Sequence, residues 1–310
     1  TSSNTQPIFI VGEAGIGKTT LVNQLKQWAE NQKIAVLVGN FTEFGATSIE
    51  PLHVLKELLS LLPNIKLLDR SAKSSNLSTA MLREQREEKK WQLFDRLVKT
   101  LEDRTKISPQ ILIIEDLQWA DTLSLEFLGY LLRNSELKNF SFVGTVRAEE
   151  LNRESLFSSW FKSQKRYFYY QSLELAKLDQ TNISLLLENI FQAIGIQQQD
   201  IESLQQITEG NPLYLIQLVS LLVLSNKISL QNNIWQVEPI IPNKVPNNIG
   251  KIVQEKMALL PLELQKVLKF SSAIEEIINF DLLEIITAKT ADQLKDIFVP
   301  AIDYLLVKEE

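Results

Sequence analysis

A glycine-rich segment between an apolar run and an amphipathic run constrains this chain more than any other feature. Ile8–Val11 has the β-branched and aromatic composition of a buried strand, and Lys18–Glu30 has the pattern of a helix. Gly12–Thr19, which lies between them, matches G-x-x-x-x-G-K-[ST] at every position. Chance would produce this pattern in roughly one per cent of chains of this length, and it would not also supply the flanking strand and helix. The segment is therefore predicted to be a phosphate-binding loop (P-loop).

The chemistry of such a loop assigns roles to its residues. Glycines permit backbone conformations in which consecutive amides point at phosphate oxygens, and the following helix adds the positive end of its dipole. Lys18 is predicted to reach the β- and γ-phosphates, and the Thr19 hydroxyl to take a magnesium position. The expected ligands are therefore ATP or ADP together with Mg²⁺. The predicted nucleotide-binding residues of this segment are Gly12, Glu13, Ala14, Gly15, Ile16, Gly17, Lys18, Thr19 and Thr20.

Two carboxylates follow a second apolar run, as a magnesium-dependent P-loop site requires. Ile111–Ile114 contains three β-branched residues out of four, which is typical of a strand buried on both faces of a parallel sheet. Glu115 and Asp116 come directly after it, at the carboxyl end of the strand, where ligands of open α/β sheets bind. Glu115 is predicted to act on the metal, and Asp116 to orient or deprotonate the attacking water. The two roles could be exchanged, because glutamate reaches one methylene further than aspartate.

Strands alternate with helices through the first half of the chain. Apolar runs predict three more strands, at Ile34–Val38, Phe140–Val146 and Tyr167–Tyr170. The helices predicted between strands cover residues 51–62, 79–101, 121–133 and about 150–162. Five strands alternating with helices indicate the α/β class, with a doubly wound parallel sheet that ends near residue 172.

The remainder of the chain is predicted to be mostly helical. Helices are expected at residues 179–194, 198–208 and 212–225, with Gly195 at a helix end, and again from Val245 onward. Asn232–Asn233 lies between two short apolar runs and predicts a hairpin. The predicted segments are a nucleotide-binding domain (1–172), a helical domain (173–227), a hairpin linker (228–244) and a third domain (245–310).

Composition limits the class of partner and the compartment. The 32 basic and 38 acidic residues give a formal charge of −6, which disfavours nucleic acid as the ligand of this segment. The absence of cysteine excludes disulfides and thiolate metal sites, and it fits a cytoplasmic location. No apolar run is long enough to span a membrane, so no membrane partner is expected. The chain opens on Thr1 rather than methionine, which suggests a piece of a longer protein.

Four motifs in order resemble one family. The segment Ile111–Asp121, with Glu-Asp-Leu-Gln-Trp-Ala-Asp after the strand, resembles the Walker B region of the signal-transduction ATPases with numerous domains (STAND). These are AAA+-like ATPases found in large bacterial regulators, kinases and cyclases. Phe142–Arg147 is similar to the family's fourth strand, which carries its sensor residues. Glu209–Tyr214 resembles the Gly-x-Pro motif of its helical lid, and Val245–Pro246 the start of its winged-helix domain.

The resemblance implies further site residues and names the domains. Thr145 and Arg147 would sense the γ-phosphate, which adds Arg147 to the catalytic residues, and Pro212 would pack on the adenine. Residues 173–227 would form the helical lid. Residues 245–310 would form a winged-helix-like domain that ends before a complete wing. The chain also lacks the Gly-Arg-Glu segment that the family usually carries upstream of its first strand, which is expected to weaken nucleotide binding.

The resemblance implies a regulatory switch rather than a metabolic enzyme. ADP would hold the domains closed, and ATP would open them, favour a homo-oligomer and be hydrolysed slowly. Sensor and effector domains would belong to the same longer chain. One alternative is a DNA-handling AAA+ ATPase of the origin-recognition or loader type. That class needs a basic recognition helix near the C-terminus, but Glu275–Leu294 carries only Lys289 against several acids. A second alternative, a metabolic P-loop kinase, needs an acceptor pocket that the sequence does not indicate.

Overall fold

The computed structural model describes residues 6–42, 79–133, 137–164, 166–167, 169–192, 194–272, 278 and 280–307, with the side chains of residues 79–86 excepted. The chain divides into two compact units, Thr1–Ala176 and Lys177–Glu310, and each is described by itself. The helix predicted at 51–62 lies outside the described residues. The finer division of the second unit into lid, hairpin linker and third domain stays a prediction.

The first unit is a parallel sheet with helices along its connections. Its strands are β1 (Ile8–Gly12), β2 (Ala35–Asn40), β3 (Gln110–Glu115), β4 (Phe140–Arg147) and β5 (Gln171–Glu174). Its described helices are α1 (Lys18–Asn31), α2 (Thr79–Thr105), α3 (Thr122–Arg133), α4 (Ala148–Asn152) and α5 (Leu156–Gln164). The strand order is β2-β3-β4-β1-β5 and every neighbouring pair is parallel. β4 therefore lies between β1 and β3, and the carboxyl ends of all three meet at one edge of the sheet.

Strand β3 is buried on both faces, as its run of apolar residues predicts. Ile111 and Ile113 belong to a hydrophobic cluster with Val22 and Ala29 of α1. Leu112 and Ile114 belong to the larger cluster on the opposite face, together with aromatic side chains of α2, α3 and β4. Side chains alternate along a strand, so Glu115, at the end of β3, lies on the face that α1 covers.

The position predicted for the fifth strand is wrong. Tyr167–Tyr170 has strong β-propensity, but β5 begins four residues later than predicted, at Gln171, where it pairs with β1. The Tyr170 ring packs instead against Phe9 and Phe161, with centroids 5.4 and 5.0 Å away. Tyr169 is 87% exposed. Pairing with β1 and this aromatic packing override local propensity, which depends strongly on context.

The second unit is mainly helical. Its helices are α6 (Gln180–Phe191), α7 (Gln198–Thr208), α8 (Pro212–Leu224), α9 (Ile249–Leu259), α10 (Leu262–Ser271), α11 (Phe280–Thr287) and α12 (Ala291–Asp303). Its strands are β6 (Ile194–Gly195), β7 (Ile228–Gln231) and β8 (Ile234–Val237). The predicted hairpin is confirmed: β7 and β8 are antiparallel, and Asn232 and Asn233 both have positive φ, as a type I′ turn requires. Gly195, predicted at a helix end, instead pairs with β8 as part of β6. The winged-helix assignment of residues 245–310 stays a prediction.

A buried lysine joins two hydrophobic cores of the second unit. Helix α9 contributes Ile252 to a hydrophobic cluster with α6, α7 and α8, and it packs Met257 against a second cluster formed by α10, α11 and α12. Between them, Lys256 is completely buried. Its Nζ donates to Gln217 Oε1 of α8 (2.6 Å) and to the Tyr304 carbonyl after α12 (2.9 Å). Desolvation lowers the pKa of Lys256 to about 8.

None of the helices in the described ranges is both long and apolar enough to cross a bilayer.

Candidate nucleotide-binding site

The turn between β1 and α1 has the backbone of an anion-binding loop. Gly15 and Gly17 have φ of 75° and 108°, in the left-handed region that favours glycine. Gly17 is the N-cap of α1, and no side chain caps the helix there. The first amides of a helix have no intrahelical acceptor, so this helix end can donate to an anion. A Cβ on Gly12 would lie 2.7 Å from Cγ2 of the buried Ile16, which explains the glycine at the loop's start.

Lys18 folds back across the loop that precedes it. Its Nζ donates to the carbonyls of Gly12 (2.8 Å) and Glu13 (2.9 Å). Burial lowers the pKa of Lys18, while the negative charges of Asp116 and Glu149 act in the opposite direction. The ammonium group is therefore held at the loop, where a phosphate would meet it.

Glu115 is a buried carboxylate with a cationic partner. Its side chain is 10% exposed, and its Oε1 lies 3.2 Å from Nζ of Lys26, in the middle of α1. Thr19 and Thr20 are exposed in the first turn of the same helix. Glu115 thus lies on the face of the sheet that the Thr19 helix covers, as the predicted metal role requires.

Asp116 has a strained backbone that fixes its side chain at the edge of the sheet. Its φ of 54° is left-handed, which costs energy for a residue other than glycine. Its amide donates to Thr145 Oγ1 (2.9 Å). Its Oδ1 accepts from Gln118 Nε2 (2.7 Å) and lies 4.0 Å from Arg147 Nε. Asp116 is therefore in contact with both residues that the resemblance assigns to γ-phosphate sensing.

Thr145 and Arg147 are placed by strand β4. In the pairing of β1 with β4, Thr145 is opposite Ile10 and Arg147 is opposite Gly12, the first residue of the loop. Thr145 is buried, and its hydroxyl is bonded to the Asp116 amide. Arg147 is half-buried, with its guanidinium 5.7 Å from the centre of the Trp119 ring. The order β3-β4-β1 thus places the predicted sensor residues between the loop and the acidic pair.

Sequence reasoning missed Gln118. This buried residue donates to Asp116 Oδ1 (2.7 Å) and accepts from the Arg147 amide (3.2 Å). It lies in the 3₁₀ turn Leu117–Trp119, within the string that carries the family resemblance. A long polar side chain next to buried Leu117 is a signal that could have indicated a buried hydrogen-bond role.

Pro212 belongs to the second unit. It is the first residue of α8, and the N-cap Asn211 accepts from the Tyr214 amide through its side chain (3.2 Å). A proline at this position needs no functional explanation, because its missing amide would be unpaired there anyway. Its contact with adenine therefore stays a prediction.

The residues present fit magnesium as an ion bound largely by phosphate and water. Among the residues that the structure describes, no three His, Cys, Asp or Glu side chains form a metal cluster. Mg²⁺ bound to a nucleotide needs only one or two protein oxygens. The Thr19 hydroxyl and the buried Glu115 carboxylate have that chemistry.

Three features define the first unit as a P-loop NTPase fold: the strand order, the glycine-rich loop after β1, and the acidic residues at the end of β3. Residues 1–143 match the family model described as an AAA ATPase domain. A STAND protein with a tetratricopeptide repeat sensor from Pyrococcus horikoshii has a similar fold, with a TM-score of 0.51 and 15% identity. The match covers 97% of this chain and 37% of that protein. At 15% identity this likeness concerns the fold, and the predicted resemblance in fold to a STAND-type P-loop ATPase module is confirmed.

More distant likenesses have TM-scores below 0.5. Cdc6p from Pyrobaculum aerophilum has a TM-score of 0.47 and 14% identity, over 97% of this chain and 80% of that one. The ORC2 protein of Aeropyrum pernix has a TM-score of 0.42 and 13% identity, over 99% and 82%. No curated protein sequence matches the chain.

Proposed function

We propose that this chain is the ATPase module of a regulatory switch, which binds ATP and hydrolyses it slowly. The observation that carries the proposal is the link from Asp116 through Thr145 and Arg147 to the start of the loop. A site that only stored a nucleotide would need the loop alone. Here a carboxylate and an arginine also meet at the edge of the sheet beside it, which is the arrangement that phosphoryl transfer to water uses.

Each residue has a role that follows from its position. The loop amides and Lys18 bind the phosphates, and Thr19 and Glu115 hold Mg²⁺. When bound, the metal neutralises charge on the phosphate oxygens. Asp116 orients the attacking water or accepts its proton. Arg147 pairs with the γ-phosphate, so it distinguishes ATP from ADP.

The switch itself requires a difference in nucleotide affinity between two conformations. A change from 1:99 to 99:1 requires about 10⁴-fold tighter binding to one state. We expect ADP to favour a closed form, with Pro212 packed on the adenine, and ATP to favour an open form that forms homo-oligomers. Sensor and effector segments would lie elsewhere in the longer chain, in agreement with the sensor named in the Pyrococcus protein.

The charge of the last segment favours the switch over a DNA-handling ATPase. Helices α11 and α12 carry Asp281 and Asp292 in their first turns. Lys289, which lies between them, is paired with Glu263 (2.6 Å). A duplex-binding helix needs free basic side chains to neutralise phosphates.

The first experiment is to denature the purified chain and to identify any released nucleotide by chromatography. Stoichiometric ADP supports a switch that retains its product. The site itself is tested with Lys18→Ala, which removes a charge-assisted contact and should weaken ATP binding about 10- to 100-fold. Lys106→Ala is the control, because the Lys106 side chain is largely exposed and its ion pair within the described residues is with Asp103. Equal ATP affinity in Lys18→Ala and the parent would refute the site assignment, and salt-dependent binding to duplex DNA would revive the alternative class.

A further inference from the structure

Gln118 uses both ends of its amide on residues of the site. Its Nε2 donates to the Asp116 carboxylate (2.7 Å) and its Oε1 accepts from the Arg147 amide (3.2 Å). The side chain is buried, and the Trp119 amide donates to the Asp116 carbonyl (3.0 Å), which closes the turn that carries it. The distance between Gln118 and Asp116 is therefore fixed by the backbone.

The carboxamide makes both bonds because it carries a donor and an acceptor. The Asp116 carboxylate requires a donor, and the Arg147 amide requires an acceptor. Glutamate would keep the acceptor but lose the donor, and methionine, which has a similar length, would lose both. The side chain thus joins the end of β3 to the end of β4 at the two residues proposed for water and γ-phosphate.

A second buried glutamine, Gln110 on strand β3, has a local structural role and serves as a comparison. It lies at the other end of β3, and its Nε2 donates to the carbonyl and hydroxyl of Ser108 (3.2 and 2.9 Å). Its buried Oε1 has no hydrogen-bond partner among the described residues. Gln110 therefore stabilises a local turn, whereas Gln118 joins two segments that are 29 residues apart in sequence.

We infer that Gln118 is a positioning residue that couples Arg147 to Asp116. When the guanidinium of Arg147 engages the γ-phosphate, the start of α4 and the Arg147 amide are held with it. Because Gln118 is bonded to both, it then holds the Asp116 carboxylate at a fixed position relative to that amide. The coupling makes the orientation of the water depend on which nucleotide is bound. This inference rests on the proposed function, and it adds Gln118 to the site residues of the loop and the acidic pair.

The test compares the parent chain with Gln118→Met, Gln118→Glu and the control Gln110→Met. ADP and a non-hydrolysable ATP analogue are titrated by fluorescence of labelled nucleotides, and phosphate release is followed in a single turnover. We expect Gln118→Met to slow turnover by about 10- to 100-fold, as lost supporting hydrogen bonds typically do, with ADP affinity changed less than about threefold. Gln118→Glu should be as slow at a pH at which the new side chain is ionised, because a carboxylate repels Asp116 instead of donating to it. Gln110→Met should change thermal stability only.

Two further measurements separate coupling from a loss of structure. In a double-mutant cycle with Arg147→Ala, coupling predicts that Gln118→Met has no further effect on the preference for the ATP analogue over ADP. The ¹⁹F resonance of fluorinated Trp119, assigned with Trp119→Phe, should shift with the ATP analogue in the parent and not in Gln118→Met. If Gln118→Met does not fold, Gln118→Glu carries both measurements, because it keeps the size and the acceptor.

Several outcomes would overturn the inference. They are parent-like turnover and nucleotide preference in both Gln118 variants, additive effects in the cycle, or equal losses in Gln110→Met. A parent chain that binds neither nucleotide would overturn the proposed function as well. A parent that binds both without turnover would remove hydrolysis from the proposed function, while the cycle and the resonance would still decide the role of Gln118.

Discussion

Replacement of Lys26 by methionine tests whether Glu115 depends on a nearby positive charge. The change removes the ammonium group 3.2 Å from Glu115 Oε1 and keeps most of the apolar stem. Loss of one partner of a fully buried ion pair costs about 3–5 kcal/mol. Here the carboxylate side is 10% exposed, but the lysine side is 25% exposed, and solvent screens the pair. The expected loss in unfolding free energy is therefore about 1–3 kcal/mol.

The assay is thermal unfolding in the presence of a chelator. A loss of about 2 kcal/mol corresponds to a fall in Tm of roughly 4–8 °C for a domain of about 150–250 residues. Mg²⁺ with ADP should reduce the difference between Lys26→Met and the parent, because the metal supplies positive charge to the same carboxylate. For the same reason Lys26→Met should need less Mg²⁺ for half-maximal nucleotide binding.

Lys106→Met is the matched control for this experiment. Lys106 also pairs with an acid, Asp103 at 2.8 Å, but both side chains are largely exposed. Exposed pairs contribute little to stability, so its Tm should not change measurably. The reasoning fails if Lys26→Met is as stable as the parent or if Lys106→Met loses as much. An unchanged Mg²⁺ requirement in Lys26→Met would instead argue that Glu115 is not the acid that meets the metal.

Three other changes test separate parts of the structure. Asp116→Asn should keep nucleotide affinity within about threefold and lower single-turnover hydrolysis by about 10²–10⁴-fold; equal turnover would move the base role to Glu115. Gly17→Ala introduces a side chain at φ of 108°, which should cost about 1–3 kcal/mol in denaturant unfolding and weaken phosphate binding; wild-type values in both would contradict the loop geometry. For Lys256, the folded pKa of about 8 lies below the ordinary 10.5, so the unfolded chain binds more protons between these values. The unfolding free energy of the parent relative to Lys256→Met should thus rise with pH through that window. Equal pH slopes in denaturant titrations would show that the pKa of Lys256 is not lowered in the folded chain.

Local patterns predicted the parts of the site that are continuous in sequence. The loop is continuous in sequence, and its glycines indicate the backbone conformation that it needs. Asp121, the first residue of the helix predicted at 121–133, caps that helix: its Oδ1 accepts from the amides of Leu123 (2.9 Å) and Ser124 (3.0 Å). The acidic pair lies at the end of strand β3, which the sequence reveals because a strand buried on both faces is a run of apolar residues. In each case the physical cause acts within a few residues, so the sequence alone carries it.

Contacts between distant segments could not be predicted in this way. Lys26 meets Glu115 across 89 residues, and nothing on α1 marks this lysine among its neighbours. Gln118 acquires its role only because β4 lies between β1 and β3. The position of β5 was missed because the aromatic residues of Tyr167–Tyr170 favour a strand locally, while pairing with β1 begins at Gln171. Strand order and register are long-range properties that local propensity does not determine.

The buried lysine of the second unit has a mechanical consequence. Lys256 ties α9 to Gln217 of α8 and to the carbonyl of Tyr304, and Gln217 also donates to the Leu305 carbonyl (3.2 Å). Bending between α8 and α9 would break these hydrogen bonds and would expose the apolar side chains around the Lys256 ammonium group to water. These bonds connect α8, which begins at Pro212, to the end of α12, so we expect a displacement of Pro212 to move the end of α12 as well.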